Sequence, residues 1–256
     1  MIKFFEILGR FIIKTIEEMG QLMLLVVNSF IWTFRPPLRI RAIFKQMEFV
    51  GVKSLFVVIL TGAFTGAVMT IQIFYGFSMF GAESLVSPTL AIAMARELGP
   101  VLTALMVTGR AGSAIAAELG TMRVTEQIDA LYVMAANPIK FLVVPRIIAG
   151  VFMLPILTVV ANLMGVLGGY LVGVILLDIN ASIFIGNIVE FLNPSDIFNG
   201  LIKSAVFGFI LTLIGCYKGF YTTGGAEGVG RATTESVVMA SILILASDYI
   251  MTAIMF

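Results

Sequence analysis

The sequence predicts an all-α integral membrane protein, and three observations support this fold class. Hydrophobic residues make up 59% of the 256 residues and charged residues only 12%, about half of the roughly 25% that is usual in soluble domains. Five apolar stretches are each long enough to cross a bilayer as a helix. Basic residues concentrate beside alternate ends of these stretches, as expected of a multi-pass membrane protein.

Residues 1–53 are predicted to form a cytoplasmic and interfacial helical region. Charged side chains recur there at helical spacing, at Lys3, Glu6, Arg10, Lys14 and Glu17. Apolar side chains fill another face, which is typical of an amphipathic helix that lies in the membrane surface. Residues 19–34 are uncharged, so a sixth span is the alternative, although the stretch is short for a crossing. The pair Pro36–Pro37 is predicted to end this element.

Residues 54–256 are predicted to form a five-span transmembrane domain. The spans are residues 54–75, 85–109, 147–177, 197–217 and 236–256. The third is longer than one upright crossing needs, which indicates a tilt or a bend near Pro155. Small residues recur along the third span at Ala161, Gly165, Gly169 and Gly173, and along the first at Gly62 and Gly66. Such rows allow close helix packing, either within the chain or between two copies of it.

The distribution of basic residues predicts the orientation. All but two of the 16 Lys and Arg residues lie in the N-terminal region, between the second and third spans, or between the fourth and fifth. The two loops on the other side contain none. Because basic loops stay in the cytoplasm, we expect a cytoplasmic N-terminus and a C-terminus on the opposite side.

The two exceptions are Arg96 and Lys203, which lie inside apolar spans toward the outer face. A charge at membrane depth costs about 2.5 kcal/mol or more, so it usually faces a cavity or a partner. Two cations among apolar walls would suit an anionic amphiphile such as a phospholipid. One alternative is a structural charge network with Glu97 and Asp248. Another is that Lys203, about 9 Å from the end of its span, extends its ammonium to the membrane surface.

A short cytoplasmic helix of residues 125–136 is predicted between the second and third spans. Thr125 is a plausible N-cap, with Glu126 in the first turn, and Asn137–Pro138 would end the helix. Its mixture of apolar and acidic side chains fits a docking surface, or equally an ordinary connecting helix.

Composition and motifs exclude several functions. The chain has no His and a single Cys, Cys216, which argues against zinc, haem and disulfide sites and against His-based catalysis. A net charge of +1 is not that of a nucleic-acid-binding domain. The Gly-rich segment 223–234 lacks the Gly-Lys-Ser/Thr ending of a P-loop. Any use of ATP is therefore expected in another subunit.

Several segments resemble the MlaE/YrbE permease family, the membrane subunits of ABC transporters that work with MCE-domain proteins. The matching segments are residues 95–101 (ARELGPV), 109–114 (GRAGSA), 117–120 (AELG), 122–127 (MRVTEQ), 137–138 (NP) and 231–234 (RATT). The resemblance covers nearly the whole chain, and its most specific part is the block from 96 to 127.

This resemblance implies a homodimer in the bacterial inner membrane. It implies two copies of a cytoplasmic ABC ATPase, and a periplasmic MCE-domain oligomer above the dimer. The cargo would be phospholipid, in an outward-facing cavity to which we assign Arg96, Glu97, Lys203 and Asp248. Arg231 matches a further polar position with a supporting role.

The resemblance also implies that the short helix is the coupling helix that contacts the ATPase. Its contact residues would be Thr125, Glu126, Gln127, Asp129 and Leu131. The chain is thus expected to be a permease subunit driven by ATP hydrolysis in a partner, with no catalytic residue, cofactor or metal of its own.

Two rival functions belong to other classes. A stand-alone, ion-coupled transporter would use Glu97 and Asp248 as proton sites. An intramembrane lipid-modifying enzyme would need a nucleophile and a base near one membrane face, yet the chain has no His and Cys216 has no evident activator.

Overall fold

The computed structural model describes the backbone of residues 2–36 and 39–255, and their side chains except those of residues 2–12, 14 and 15. Within these ranges five helical segments are long and apolar enough to cross a membrane. We number them spans one to five: Ile40–Ser78, Glu83–Val124, Ile139–Leu176, Pro194–Phe220 and Gly225–Met255. The predicted number of spans is confirmed, and each span begins before the apolar stretch predicted from the sequence.

The spans and their connections are built from the following α-helices. In chain order they are α1 (Ile2–Thr33), α2 (Ile40–Val50), α3 (Leu55–Ser78), α4 (Val86–Ala93), α5 (Gly99–Val107), α6 (Ser113–Val124), α7 (Gln127–Val133), α8 (Val144–Leu171), α9 (Ala181–Phe191), α10 (Pro194–Phe220) and α11 (Gly225–Met255). Single π-helical turns join several of them, at Met94–Leu98, Thr108–Gly112, Ile139–Val143 and Val172–Leu176. The third span runs through Pro155 as part of α8.

The N-terminal helix α1 is not one of the candidate spans in the described part of the chain. Its Leu25 and Ser29 are buried where α1 meets the start of span three and the end of span four. The hydroxyl of Tyr217 on α10 donates a hydrogen bond to the carbonyl oxygen of Glu18, at 3.2 Å. The predicted amphipathic pattern depends mainly on side chains before residue 13 and on Lys14, and these lie outside the described side chains. Pro37, which was predicted with Pro36 to end this element, also lies outside the described residues. The helix α1 ends before both, at Thr33.

The two rows of small residues face each other inside the chain. A Cβ atom on Gly62 would lie 2.7 Å from the carbonyl oxygen of Ala161, and one on Gly66 would overlap the backbone of Gly165. Spans one and three therefore pack backbone against backbone. Such close contact matters in a membrane because apolar lipid provides no hydrophobic driving force for helix association, so van der Waals contact has to stabilise it. These rows serve packing within the chain.

The short helix α9 lies in the connection between spans three and four, and hydropathy alone did not predict it. The side chain of Asn180 caps its first turn by accepting hydrogen bonds from the backbone N–H groups of Ser182 and Ile183. Phe184 of α9 is buried against Tyr170 of α8, with ring centroids 5.7 Å apart. We name the two ends of the bundle after their short helices, the α9 end and the α7 end.

Replacing Gly66 with Val should destabilise the fold, because its side chain would force spans one and three apart. Overpacking of this kind costs about 1–3 kcal/mol, and thermal unfolding in mild detergent would measure it. Gly76 on the same helix has open space around its Cα, so Gly76→Val is the matched control. Equal midpoints for the two variants would contradict the packing described for the small-residue rows.

Candidate functional site

Arg96 and Glu97 lie on a π-helical turn of span two, Met94–Leu98. Pro100 explains why the helix widens from an α to a π turn here. It has no N–H to donate to the carbonyl of Arg96, and in an α-helix its ring would clash with that carbonyl. The two neighbouring charged side chains consequently meet different partners. Single π turns of this type are frequent at functional sites.

Arg96 pairs with Asp196, at the start of α10. Its Nε and one terminal nitrogen lie 2.8 Å and 2.7 Å from the same oxygen, Oδ1. The other oxygen of Asp196 accepts a hydrogen bond from the backbone N–H of Asn193, at 3.3 Å, as part of a capping box. The Asp196 side chain is 2% exposed and that of Arg96 is 35% exposed. Asp196 therefore holds a guanidinium that still reaches the surface of the bundle.

Lys203, on span four, is fully buried at the centre of a second set of contacts. Its Nζ lies 2.7 Å from Glu97 Oε2, 3.1 Å from Asp248 Oδ1 and 2.7 Å from Thr252 Oγ1. An ammonium has three donors, and these three acceptors match them. The proposed extension of Lys203 to the membrane surface is therefore wrong, because its partners hold the ammonium inside the bundle.

These side chains border an open groove, which we call the charged groove. Its volume is about 430 Å³, and its lining is Thr89, Ile92, Ala93, Arg96, Glu97 and Thr252. Its wall is mostly apolar, and its charge comes from Arg96 and Glu97. We use the term ion-pair cluster for Arg96, Glu97, Asp196, Lys203, Asp248 and Thr252. Of the four residues predicted to form the cavity, Arg96 and Glu97 line the groove, whereas Lys203 and Asp248 belong to the cluster without lining it.

Two members of the ion-pair cluster were not among the predicted site residues. In the sequence, Asp196 is an acid at the end of the loop before the predicted fourth span, and Thr252 is a polar residue in the apolar fifth span. Helical spacing was the available signal, since residues three, four or seven positions apart share a face of a helix. Asp196 stands seven residues before Lys203, and Thr252 four residues after Asp248.

The predicted helix between spans two and three exists, but its boundaries differ from residues 125–136. The helix α7 covers Gln127–Val133. Thr125 is not its N-cap, because the Thr125 hydroxyl donates back to the carbonyl of Thr121 at the end of α6. Glu126 holds the cap position with a left-handed backbone, φ 59°. At the other end, the side-chain oxygen of Asn137 accepts hydrogen bonds from the N–H groups of Ile139 and Lys140, in the first turn of the next helical segment.

The predicted contact residues of α7 differ in exposure. Gln127 and Asp129 are exposed, Leu131 is half-buried, and Ile128 is fully buried. The carboxylate of Asp129 lies 2.6 Å from the guanidinium of Arg123 on α6. The exposed apolar side chains of this segment are Tyr132, Val133 and Met134, none of which is among the predicted contact residues.

Arg231 does not join the ion-pair cluster. It lines a second groove, of about 390 Å³, at the α7 end between α1, α10 and α11. Its side chain is 69% exposed and lies 3.7 Å from Glu235, one helical turn further along α11. Lys218 of α10 pairs with the same carboxylate at 2.9 Å.

Comparison with known proteins identifies close relatives. A family model described as Permease MlaE matches residues 43–254. A probable ABC transporter permease protein of Rickettsia bellii is 47% identical over 97% of this chain and 96% of its own. One from Synechocystis sp. is 46% identical, over 83% of this chain and 81% of its own. The intermembrane phospholipid transport system permease protein MlaE of Haemophilus influenzae is 36% identical over 100% and 98%.

Removing Lys203 alone should destabilise the protein, because Glu97 and Asp248 would lose their shared cation. Breaking a buried ion pair in this way costs about 3–5 kcal/mol, whereas replacing all partners together is close to neutral. We therefore expect Lys203→Met to lower the thermal unfolding midpoint in detergent. The triple variant Lys203→Met, Glu97→Gln, Asp248→Asn should recover most of that loss.

The exposed Lys53 offers a matched control in Lys53→Met, which should unfold as the wild type does. A triple variant less stable than Lys203→Met alone would contradict the role of charge pairing in this cluster.

Proposed function

The chain belongs to the MlaE permease family, and on that premise we propose that it moves phospholipid between the bacterial inner membrane and a periplasmic MCE-domain oligomer. It is the membrane permease of an ABC transporter. We propose that ATP hydrolysis takes place in a separate ATPase subunit and that the permease itself is a transport subunit, not an enzyme. The observation that carries the proposal is the charged groove, where a partly exposed guanidinium opens onto an apolar wall at membrane depth.

The groove has the two kinds of surface that a phospholipid needs. The guanidinium of Arg96 matches phosphate oxygens with two parallel donors, and Ile92 and Ala93 offer apolar surface to acyl chains. In a water-poor site the positive charge is worth more than it would be in bulk solvent. The name of the Haemophilus influenzae relative, an intermembrane phospholipid transport system permease protein, supports the same cargo.

Within this proposal the buried members of the cluster position the exposed ones. Asp196 helps to fix the direction of Arg96, since the Arg96 Nε and one of its terminal nitrogens both contact the Oδ1 atom of Asp196. Lys203 has no exposed surface, so it acts through Glu97 and Asp248 and not by touching the cargo. This arrangement supplies a preorganised anchor for a head group, as binding sites on rigid elements require.

We propose that α7 docks the ATPase. It carries exposed apolar side chains at a solvent-facing end of the bundle, with Val133 88% and Met134 67% exposed. Apolar surface of this kind is usual where a partner binds. The names of several relatives describe an ABC transporter permease, a type of protein that works with a nucleotide-hydrolysing subunit. The predicted contact residues Gln127, Asp129 and Leu131 lie on the same helix.

The fold offers a route from α7 to the charged groove. Arg123 and Asp129 join α6 to α7, and α6 packs closely on α10. A Cβ atom on Gly215 of α10 would lie 3.0 Å from the carbonyl of Gly112, and one on Gly219 would lie 2.7 Å from Leu119. A displacement of α7 by the ATPase would pass through these backbone contacts to α10, which carries Lys203. Contiguous, tightly packed elements of this type can carry coupling between sites.

We also propose the arrangement in the membrane. The basic segments of the sequence support a cytoplasmic position for the α7 end and the N-terminus, and hence a periplasmic position for the α9 end and the C-terminus. Two copies of the chain would form the permease, with two ATPase subunits. In this chain α11 has a largely exposed apolar face, including Val238, Ile242 and Leu245, that a second copy would cover.

The proposal is tested by purifying the protein in mild detergent and identifying what remains bound. We expect a co-purifying ABC ATPase and retained phospholipid, both detected by mass spectrometry, and lipid transfer that requires ATP. Transfer that runs on a pH gradient without any ATPase would instead support an ion-coupled transporter using Glu97 and Asp248.

Arg96→Lys should reduce the amount of retained phospholipid about tenfold, a change of about 1.4 kcal/mol in binding. Lysine keeps the positive charge beside Asp196 but loses the planar fork that binds phosphate. The same substitution at the exposed Arg41 is the control and should leave lipid retention unchanged. Equal retention in both variants would remove Arg96 from the binding site.

Val133→Glu should weaken association with the ATPase at least about tenfold while the permease stays folded, since Val133 is a surface position. Co-purification with a tagged ATPase would measure it. Phe80, 84% exposed at the α9 end, provides the control variant Phe80→Glu. Loss of the ATPase in both variants, or in neither, would count against α7 as the docking element.

A further inference from the structure

The ion-pair cluster contains more negative than positive charge. Its cations are Arg96 and Lys203, and its anions are Asp196, Glu97 and Asp248. With all of these groups ionised, the cluster carries one net negative charge. A site of this composition is poorly suited to a cargo that brings its own net negative charge, because like charges in a low-dielectric site repel each other.

The rest of the α9 end strengthens this imbalance. The spans that lead to and from the α9 end, and the loops between them, cover residues 54–109 and 147–217. The sole Lys or Arg in the first range is Arg96, and in the second it is Lys203. Further acids lie at the same end, at Glu83, Asp178 and Glu190. Glu83 and Glu190 are exposed. The surroundings of the charged groove therefore add negative potential and contribute no cation beyond the two in the cluster.

The charged groups that a bound molecule can contact are those whose side chains are exposed. Lys203 is fully buried and Asp196 is 2% exposed, so neither presents its charge to the groove. The side chain of Arg96 is 35% exposed, that of Glu97 35% and that of Asp248 20%. The groove lining thus presents one guanidinium beside one carboxylate, those of Arg96 and Glu97, whereas Asp248 lies outside the lining and pairs with Lys203. A guanidinium recognises phosphate, and carboxylates accept hydrogen bonds from a primary ammonium.

Resting on the proposed function, we infer that the charged groove selects zwitterionic, amine-bearing phospholipids over anionic ones. The phosphate of a phosphoethanolamine head group would pair with Arg96, and its ammonium with Glu97. A phosphoglycerol head group has the same phosphate but offers no cation to that carboxylate. Charge complementarity of this kind acts mainly on specificity, because it penalises the wrong partner.

The experiment places the full chain, with its co-purifying subunits, in vesicles of equimolar phosphatidylethanolamine and phosphatidylglycerol. Retained lipid is then quantified by mass spectrometry after extraction in mild detergent. We expect at least about a threefold enrichment of phosphatidylethanolamine over the bulk ratio, for the differential binding argued above. Retention at the bulk ratio, or enrichment of phosphatidylglycerol, would overturn the inference while leaving the proposed function standing. Absence of retained phospholipid would overturn both.

Two variants test whether head-group selection takes place in the charged groove. Glu97→Gln keeps the shape of the side chain and leaves Lys203 with Asp248 and Thr252, and it should bring the lipid ratio toward the bulk value. Thr89→Lys adds a cation at the groove wall without touching the contacts of Lys203, and it should shift the ratio toward phosphatidylglycerol. The control is Glu190→Gln, which removes an exposed acid of α9 outside the groove lining. A shift as large in Glu190→Gln as in Glu97→Gln would contradict selection by the groove.

Discussion

The contact on which the rest of the structure depends is the hydrogen-bonded ion pairing of Lys203. A lone ammonium at membrane depth is costly, and here its partners come from two other spans: Glu97 from span two, and Asp248 and Thr252 from span five. A shift of any of these spans by one turn would leave a buried charge without its partner. The contact therefore sets the register of spans two, four and five relative to one another, and with it the shape of the charged groove.

Spans one and three are held by a different means. Their glycine and alanine rows bring the backbones together with no charge involved, and span three then packs on span four, where Gly150 meets Gly208. The molecule thus combines a tightly packed apolar side with a polar side built around Lys203. The α7 end connects to both sides, since α7 follows α6 and precedes span three.

Hydropathy and charge were sufficient to predict the five spans and to single out Arg96 and Lys203 as charges inside apolar spans, with Glu97 and Asp248 as possible partners. The span boundaries were less predictable, because helices extend beyond the apolar region to the nearest cap or turn. The helix α10, for example, begins at its Asn193–Asp196 capping box. The predicted start of α7 was wrong because the hydroxyl of Thr125 donates to an alternative acceptor, the carbonyl of Thr121 in the preceding turn. Asp196 was missed because its pairing depends on the rotation of span two at its π turn, which follows from tertiary contacts.

The double use of Asp196 has a consequence for the proposed binding of phosphate at Arg96. One of its oxygens holds the first turn of α10 and the other holds Arg96, so the protein contains its own competitor for the guanidinium. Under the proposed function, a phosphate would share the Arg96 guanidinium with this carboxylate, which stays beside it at high effective concentration. Such sharing would weaken phosphate binding and favour hand-off, which is what a carrier needs and a storage protein does not.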